Sequence, residues 1–174
     1  MFFDTQTLEK RKIRFEQAFR PGAIDWGMGP RQIGDLEASG AAELVDPFGV
    51  REIRVRGELR GKLEMDCARC LEPLVWTVSY PLDVFYRPMT EIAREEEVAI
   101  SADEAELGFY EGDGIELADV VRDQILVELP MRSVCRPDCR GLCPLCGKDR
   151  NVEPCECREE FADPRWEALR EWKS

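Results

Sequence analysis

Eight cysteines and a complete absence of histidine constrain this chain more than any other feature. The cysteines fall into four close pairs: Cys67 and Cys70, Cys135 and Cys139, Cys143 and Cys146, Cys155 and Cys157. Without histidine, the chain cannot build a Ser-His-Asp or Cys-His catalytic site or a histidine-ligated metal site. Because no basic segment followed by an apolar stretch opens the sequence, we predict no signal peptide and a cytoplasmic protein. Paired thiols in a reducing compartment indicate metal binding rather than disulfides.

The most specific motif is Cys143-Pro-Leu-Cys146-Gly147. A C-x-x-C turn directs two thiolates at one centre, and the glycine that follows permits the positive φ that such a turn favours. A second pair, Cys155 and Cys157, comes eight residues later. Since Zn²⁺ takes four thiolates in structural sites, the eight cysteines predict two Cys₄ zinc sites.

Sequence proximity favours one way of dividing the eight thiols. Cys143, Cys146, Cys155 and Cys157 are close enough to form one local site. The other four, Cys67, Cys70, Cys135 and Cys139, would then form a second site that closes a long loop. Spacing leaves swapped pairings open, such as Cys135 and Cys139 together with Cys143 and Cys146.

Two other kinds of thiol chemistry stay open as alternatives. A C-x-x-C pair such as Cys67 and Cys70 can serve a thiol–disulfide redox protein, and four thiolates can also hold an iron–sulfur cluster. Redox pairs of the thioredoxin kind lie where a strand leads into a helix, whereas the pattern around Cys67 predicts a hairpin. The sequence therefore favours zinc.

Period-two alternation predicts a sheet. From Glu52 to Asp66 every even position is charged, while the odd positions hold apolar residues and two glycines, Gly57 and Gly61, where we expect bulges or bends. A partner strand alternates from Leu74 to Tyr86, with Pro81 indicating an edge or a bulge. The hairpin tip carries Cys67 and Cys70. Further strands are predicted at residues 12–19 and 36–44, with a loop over 21–34 between them.

One helix is predicted to pack on this sheet. Asp113 and Glu116 form a capping-box pattern, and Pro130 ends the helix. The buried stripe comprises Leu117, Val120, Val121 and Ile125. A short final helix starts at Asp163-Pro164, with Trp166, Leu169 and Trp172 on its apolar face. We predict an α+β protein: an antiparallel β-sheet domain with an acidic loop and one helix over residues 1–130, and a cysteine-rich, zinc-stapled tail over 131–174.

Charge narrows the choice of partners. The formal charge is −12, with 24 Lys and Arg against 36 Asp and Glu. This negative charge argues against nonspecific binding to duplex nucleic acid or to membrane surfaces. Much of the excess acid lies between Glu91 and Asp123, a segment that could contact a basic partner such as a ribosomal protein. Around the later cysteines the balance reverses, and the RNA-binding candidates are Arg132, Arg136, Arg140, Lys148 and Arg150. These cations could instead solvate the surface or offset thiolate charge.

The order of these motifs resembles a known family. The Cys67-Ala-Arg-Cys70 hairpin, Leu129-Pro130, the run from Cys135 to Gly147, Cys155-Glu-Cys157 and Asp163-Pro-Arg-Trp166 are similar to the YceD proteins of bacteria and plastids, the large ribosomal RNA subunit accumulation proteins. Arg150-Asn151-Val152 departs from the family's usual Asn-Leu-Asn.

The resemblance implies a cytoplasmic role in the synthesis, processing or stability of 23S ribosomal RNA, and no catalytic residue. Since no phosphate loop, catalytic triad or carboxylate dyad stands out, we predict a non-enzymatic ribosome biogenesis factor. Its partner would be a ribosomal RNA precursor or a large-subunit ribosomal protein, with no membrane or small-molecule substrate. A zinc-stabilised protein–protein adaptor and a redox protein remain the alternatives.

Overall fold

The computed structural model describes residues 1–46, 51–89 and 107–157. The chain divides into two compact units, Met1–Met65 with Val75–Met131, and Asp66–Leu74 with Arg132–Ser174. The hairpin tip thus belongs to the same unit as the later cysteines, and the domain boundary at residue 130 stays a prediction. Residues 91–106 of the predicted acidic segment and the predicted helix starting at Asp163 lie outside the described residues.

The described elements are mostly strands. In chain order they are β1 (Phe2–Asp4), α1 (Thr5–Leu8), β2 (Ile13–Phe19), β3 (Arg31–Gln32), β4 (Leu36–Val45), β5 (Glu52–Asp66), β6 (Pro73–Pro88), β7 (Leu107–Tyr110), β8 (Gly114–Glu116) and α2 (Leu117–Glu128). The predicted antiparallel sheet, hairpin and packed helix are confirmed.

The main sheet has the order β2-β4-β5-β6-β7, and β3 pairs with β5 beyond the end of β4. The β2–β4, β4–β5 and β3–β5 pairs are antiparallel. The β6–β7 pair is parallel, and periodicity did not predict it because β7 holds only four residues. The described part of β7 pairs with Phe85 to Pro88, so Pro81 precedes the stretch of β6 that β7 covers.

The hydrophobic core of the first unit lies on one face of the sheet. Four odd positions of β5, Ile53, Val55, Leu59 and Leu63, are fully buried, on the face that the alternation predicted. The predicted stripe of α2, Leu117, Val120, Val121 and Ile125, belongs to the same buried cluster. Burial of these side chains stabilises the unit because each removes apolar surface from water.

Gly57 of β5 does not mark a bulge opposite β4. The β4–β5 register runs without a break from Glu37↔Arg60 to Val45↔Glu52. Gly57 lies opposite Gly40, and a Cβ on Gly57 would lie 2.0 Å from the carbonyl oxygen of Ser39. The predicted bulge at Gly57 is therefore wrong, because glycine there permits a close approach of two backbones.

The predicted capping box of α2 is also wrong. Residues Gly114–Glu116 form β8, which pairs antiparallel with β1, and Glu116 is the N-cap without a side-chain hydrogen bond. The carbonyl oxygen of Asp113 accepts a hydrogen bond from the Thr5 N–H at 2.8 Å. The pairing of β8 with β1 takes precedence over the predicted local cap. Period-two alternation could not predict this pairing because each of the two strands has only three residues. The helix ends at Glu128, before Pro130 as predicted.

Candidate metal centre

The hairpin tip and the chain after α2 bring four thiols together. The sulfurs of Cys67, Cys70, Cys135 and Cys139, the first cluster, all lie within 4.8 Å of one another. The Sγ–Sγ distance is 3.9 Å for Cys67 and Cys139, and 3.7 Å for Cys70 and Cys135. Four sulfurs arranged tetrahedrally about Zn²⁺ lie about 3.8 Å apart. The first cluster therefore has the size of a zinc site, and all but one of its thiols are buried.

The remaining four thiols form the second cluster. The sulfurs of Cys143, Cys146, Cys155 and Cys157 also lie within 4.8 Å of one another. Cys143 is buried, Cys155 is half-buried, and Cys146 and Cys157 are exposed. The structure thus groups the eight thiols as sequence proximity favours, and not by the swapped pairing.

Two matching turns hold the C-x-x-C pairs. In the first, the Cys67 N–H donates to the Glu72 carbonyl and the Leu71 N–H to the Cys67 carbonyl, at 2.8 and 2.9 Å. In the second, the Cys143 N–H donates to the Lys148 carbonyl and the Gly147 N–H to the Cys143 carbonyl, both at 2.8 Å. The same backbone geometry therefore points two sulfurs inward at each cluster.

Backbone and amide N–H groups stabilise negative charge in the first cluster. Burial acts to raise the pKa of Cys67, but the N–H groups of Arg69, Cys70 and Cys135 outweigh it and lower the pKa to about 6. Burial, followed by the neighbouring thiols, raises the pKa of Cys135 to about 12. Four sulfurs this close cannot all ionise unless a cation joins them, which is the arrangement that a metal completes.

The second cluster repeats this electrostatic pattern and adds a cation. The N–H groups of Cys146 and Leu145 lower the pKa of Cys143 to about 6, despite an opposing contribution from burial. The Cys146 thiol and burial raise the pKa of Cys157 to about 12. Arg150 donates from Nη2 to the Cys143 sulfur at 3.8 Å, and hydrogen bonds to Cys155 and Cys143 raise the pKa of Arg150.

These donor sets fit a thiophilic ion. Each cluster supplies four soft sulfur ligands, the set that Zn²⁺ takes in structural sites. Four protein ligands fill a tetrahedral sphere and leave no position for a substrate. Both clusters could therefore hold a metal that stabilises the fold, and neither is built as an open catalytic site.

Two residues that were not among the predicted site residues connect the clusters. Arg69 donates from Nη1 to the carbonyl oxygens of Cys139 and Pro137, at 2.7 and 3.3 Å, and its own carbonyl accepts from the Leu142 N–H at 2.9 Å. Asn151 donates from Nδ2 to the Cys139 sulfur at 3.4 Å. Only the comparison with the family's Asn-Leu-Asn draws attention to Asn151; no sequence signal distinguishes Arg69.

The five RNA-binding candidates have different surroundings. Arg136 forms an ion pair with Asp138 at 3.7 Å, and Lys148 forms one with Glu153 at 3.0 Å. Arg132 and Arg140 are exposed. Arg150 contacts thiols, so the structure associates it with the offset of thiolate charge that the sequence analysis kept as an alternative.

Comparison with known proteins places the chain in a family. The model of the large ribosomal RNA subunit accumulation protein YceD matches residues 55–173. The chain belongs to the YceD family. This confirms the resemblance that the motif order predicted, and the matched residues include all eight cysteines.

Relatives from several bacteria cover most of this YceD-family chain. Uncharacterized proteins of Mycobacterium tuberculosis and Mycobacterium bovis are 36% identical over 161 residues, which is 86% of this chain and 74% of theirs. The uncharacterized protein YlbN of Bacillus subtilis is 24% identical over 140 residues, 80% of this chain and 74% of its own. No solved structure matches the chain. Among the helices of the described residues, none combines the length and the apolar character needed to cross a membrane.

Proposed function

We propose that this protein is a non-enzymatic, cytoplasmic ribosome biogenesis factor that supports the synthesis, processing or stability of 23S ribosomal RNA. The observation that carries the proposal is the match over residues 55–173 to the family model described as the large ribosomal RNA subunit accumulation protein YceD. The YceD family is not a known enzyme family. The two clusters fit this role as closed, structural sites.

Zinc is the metal we propose for both clusters. The Sγ–Sγ distances of 3.7 and 3.9 Å in the first cluster suit the Zn–S bond length, and all ligands are thiols, which Zn²⁺ accepts. Each zinc would tie together segments that are otherwise irregular loops. Metal analysis of the purified protein tests this: two equivalents of zinc support it, and visible absorption bands with bound iron would instead indicate iron–sulfur clusters.

The proposed RNA contact lies on the second unit. Arg132, Arg136, Arg140 and Lys148 are exposed there and could donate to phosphate oxygens. The two ion pairs, with Asp138 and Glu153, join exposed side chains, and such pairs exchange readily for phosphate because each contributes only about 0–1 kcal/mol. The partner is an RNA precursor of the large subunit, or a ribosomal protein bound to it.

Ultraviolet crosslinking in growing cells, followed by sequencing of the attached RNA, tests this contact. We expect enrichment of one region of the 23S precursor, and loss of that enrichment in the triple variant Arg136→Ser, Arg140→Ser, Lys148→Ser. The matched control is Arg11→Ser, Arg14→Ser, Arg20→Ser, which removes the same charge from exposed positions of the first unit. An equal loss of enrichment in both variants would show a general charge effect and contradict the proposed site.

An adaptor function is the second candidate, and exposed apolar side chains on the second unit favour it. Leu71, Leu145 and Val152 are 61%, 56% and 79% exposed. Exposed apolar groups near metal sites can contact a protein partner. In that case no RNA is crosslinked, the triple variant retains function, and affinity purification recovers a large-subunit ribosomal protein. The redox alternative is less supported because Cys67 and Cys70 belong to a group of four thiols.

A further inference from the structure

The two thiol clusters differ in their access to solvent. In the first cluster Cys67, Cys70 and Cys139 are buried, with exposures of 0%, 7% and 3%. In the second cluster, Cys146 and Cys157 are exposed. A chelator or a competing thiol removes a metal by attacking it between its ligands, so access to the sulfurs governs the rate of exchange. The second cluster is open to such attack on two of its four ligands.

Asn151 links the second cluster to the first. It lies between Cys146 and Cys155, within the segment that a metal in the second cluster would close into a loop. Its side-chain oxygen accepts from the Arg140 N–H at 2.8 Å, and its Nδ2 donates to the Cys139 sulfur at 3.4 Å. The Asn151 side chain thus belongs to the loop of the second cluster, and it stabilises the Cys139 thiolate of the first cluster.

Asp149 fixes the orientation of this amide. The Asp149 Oδ1 accepts from the Asn151 N–H at 2.8 Å and from its Nδ2 at 2.7 Å. The Arg150 N–H donates to the Gly141 carbonyl at 3.0 Å, and Leu142 forms a β-bridge with Asp149. Because these bonds all lie between Cys139 and Cys155, they order the same short stretch that carries Asn151. Release of a metal from the second cluster would remove the closure of this stretch.

From these contacts we infer that the second cluster is an exchangeable, zinc-responsive centre, and that Asn151 is a positioning residue that couples its occupancy to the strength of zinc binding at the first cluster. Loss of zinc from the second cluster frees the loop, and Cys139 then loses an N–H donor. By linkage, zinc in either cluster strengthens zinc binding in the other. This inference rests on the metal centres of the proposed function and is independent of RNA contact.

The rates of zinc release test the difference between the clusters. The full chain, loaded with two equivalents of Zn²⁺, is mixed with excess EDTA, and N-ethylmaleimide labels each thiol as it becomes free. We expect one equivalent to leave at least ten times faster than the other. Mass spectrometry should locate the early label on Cys143, Cys146, Cys155 and Cys157.

Two variants test the coupling. Asn151→Leu removes both functions of the amide. Asn151→Asp retains an acceptor for the Arg140 N–H, but it replaces the donor to Cys139 with a carboxylate oxygen that repels both the thiolate and Asp149. We expect each to speed release of the slow equivalent about tenfold, the low end of the effect of outer-shell partners on metal affinity. Val152→Ala, a change of the neighbouring exposed side chain, should leave both rates unchanged. If Asn151→Leu does not fold, Asn151→Asp carries the test.

Several outcomes would overturn the inference. Equal release rates of the two zinc equivalents, or early labelling of the first cluster, would contradict the inference that the second cluster is exchangeable. An unchanged rate of release of the slow zinc equivalent in Asn151→Asp would contradict the inferred coupling between the clusters. A protein that binds no zinc would overturn both this inference and the proposed metal, while the crosslinking result would still decide the RNA role separately.

Discussion

Leu71 and Gly147 occupy equivalent positions in two turns of the same design. Each follows the second cysteine of a C-x-x-C pair, and each donates its N–H to the carbonyl of the first cysteine, at 2.9 and 2.8 Å. Both have positive φ, +62° at Leu71 and +72° at Gly147. Leu71 is the only residue other than glycine with positive φ among the residues that the structure describes. The second turn uses the residue that adopts this conformation easily, and the first turn does not.

Replacing Leu71 with glycine should therefore stabilise the protein. Leu71 is 61% exposed, so little burial is lost, and glycine relieves a left-handed conformation that costs a leucine about 1–2 kcal/mol. Part of this gain is offset because glycine has more freedom in the unfolded chain, so we expect a net gain of about 0.5–1 kcal/mol. Urea unfolding at fixed zinc concentration measures it.

Gly147→Ala is the reverse control and should lower the free energy of unfolding by about 1 kcal/mol. No atom lies within 4 Å of the new Cβ, so its effect is conformational alone. A destabilising Leu71→Gly would show that the leucine side chain makes a stabilising contact that outweighs its backbone conformation.

Gly57→Ala should destabilise the sheet. The new Cβ would lie 2.0 Å from the Ser39 carbonyl oxygen, so β4 and β5 would have to separate. We expect a loss of about 1–3 kcal/mol, the usual range for overpacking, visible as a lower melting temperature by circular dichroism. Gly34→Ala is the matched control: no atom lies within 4 Å of its Cβ, and its melting temperature should stay close to that of the unchanged protein.

The Asp83 carboxyl should titrate below its ordinary pKa of 3.8. Arg54 donates to both carboxylate oxygens at 2.8 Å, and this hydrogen bonding lowers the pKa of Asp83. A lowered pKa means that the pair contributes stability above pH 3.8 and loses it as the pH falls through the lowered value. Since Asp83 is 42% exposed, we expect no more than about 1 kcal/mol.

A carbon-detected NMR titration of the Asp83 carboxyl measures this shift directly. In Arg54→Met the pKa should return towards 3.8, leaving only the weaker contribution of Arg56, 3.5 Å away. An identical titration curve in the variant would exclude Arg54 as the cause.

Substitutions of Arg150 and Arg140 should affect metal binding and RNA contact differently. Arg150→Gln removes a cation that donates to the Cys143 sulfur, so zinc affinity at the second cluster should fall, by about 3–10-fold for a loss near 1 kcal/mol. Arg140→Gln should leave zinc affinity unchanged because only the backbone N–H of Arg140 contacts this region.

Competition with a zinc-binding dye measures the affinities, and the crosslinking assay measures RNA contact in the same two variants. In the crosslinking assay we expect the opposite order, with a larger loss of RNA enrichment in Arg140→Gln than in Arg150→Gln. A larger loss of zinc affinity in Arg140→Gln than in Arg150→Gln would contradict these assignments.

Much of the fold could be read from local patterns. The strand from Glu52 to Asp66 has the bounds that its alternation predicted, and the buried face of α2 is the one that helical spacing predicted. Spacing favoured the observed grouping of thiols, since Cys143 and Cys157 are only fourteen positions apart, but it left the swapped pairing open. The strand and the helix face depend on neighbours within the same segment, so the sequence contains that information in a direct form.

Other features depend on which distant segments meet. The β1–β8 pairing replaced the predicted cap of α2, and the Gly40–Gly57 contact replaced a predicted bulge. The strands, the helix face and the cysteine pairs follow from local patterns, because period-two alternation, helical spacing and short cysteine spacings all act within one segment. The contact of Asn151 with Cys139 follows from the folded structure, because a hydrogen bond between two loops depends on where both loops lie.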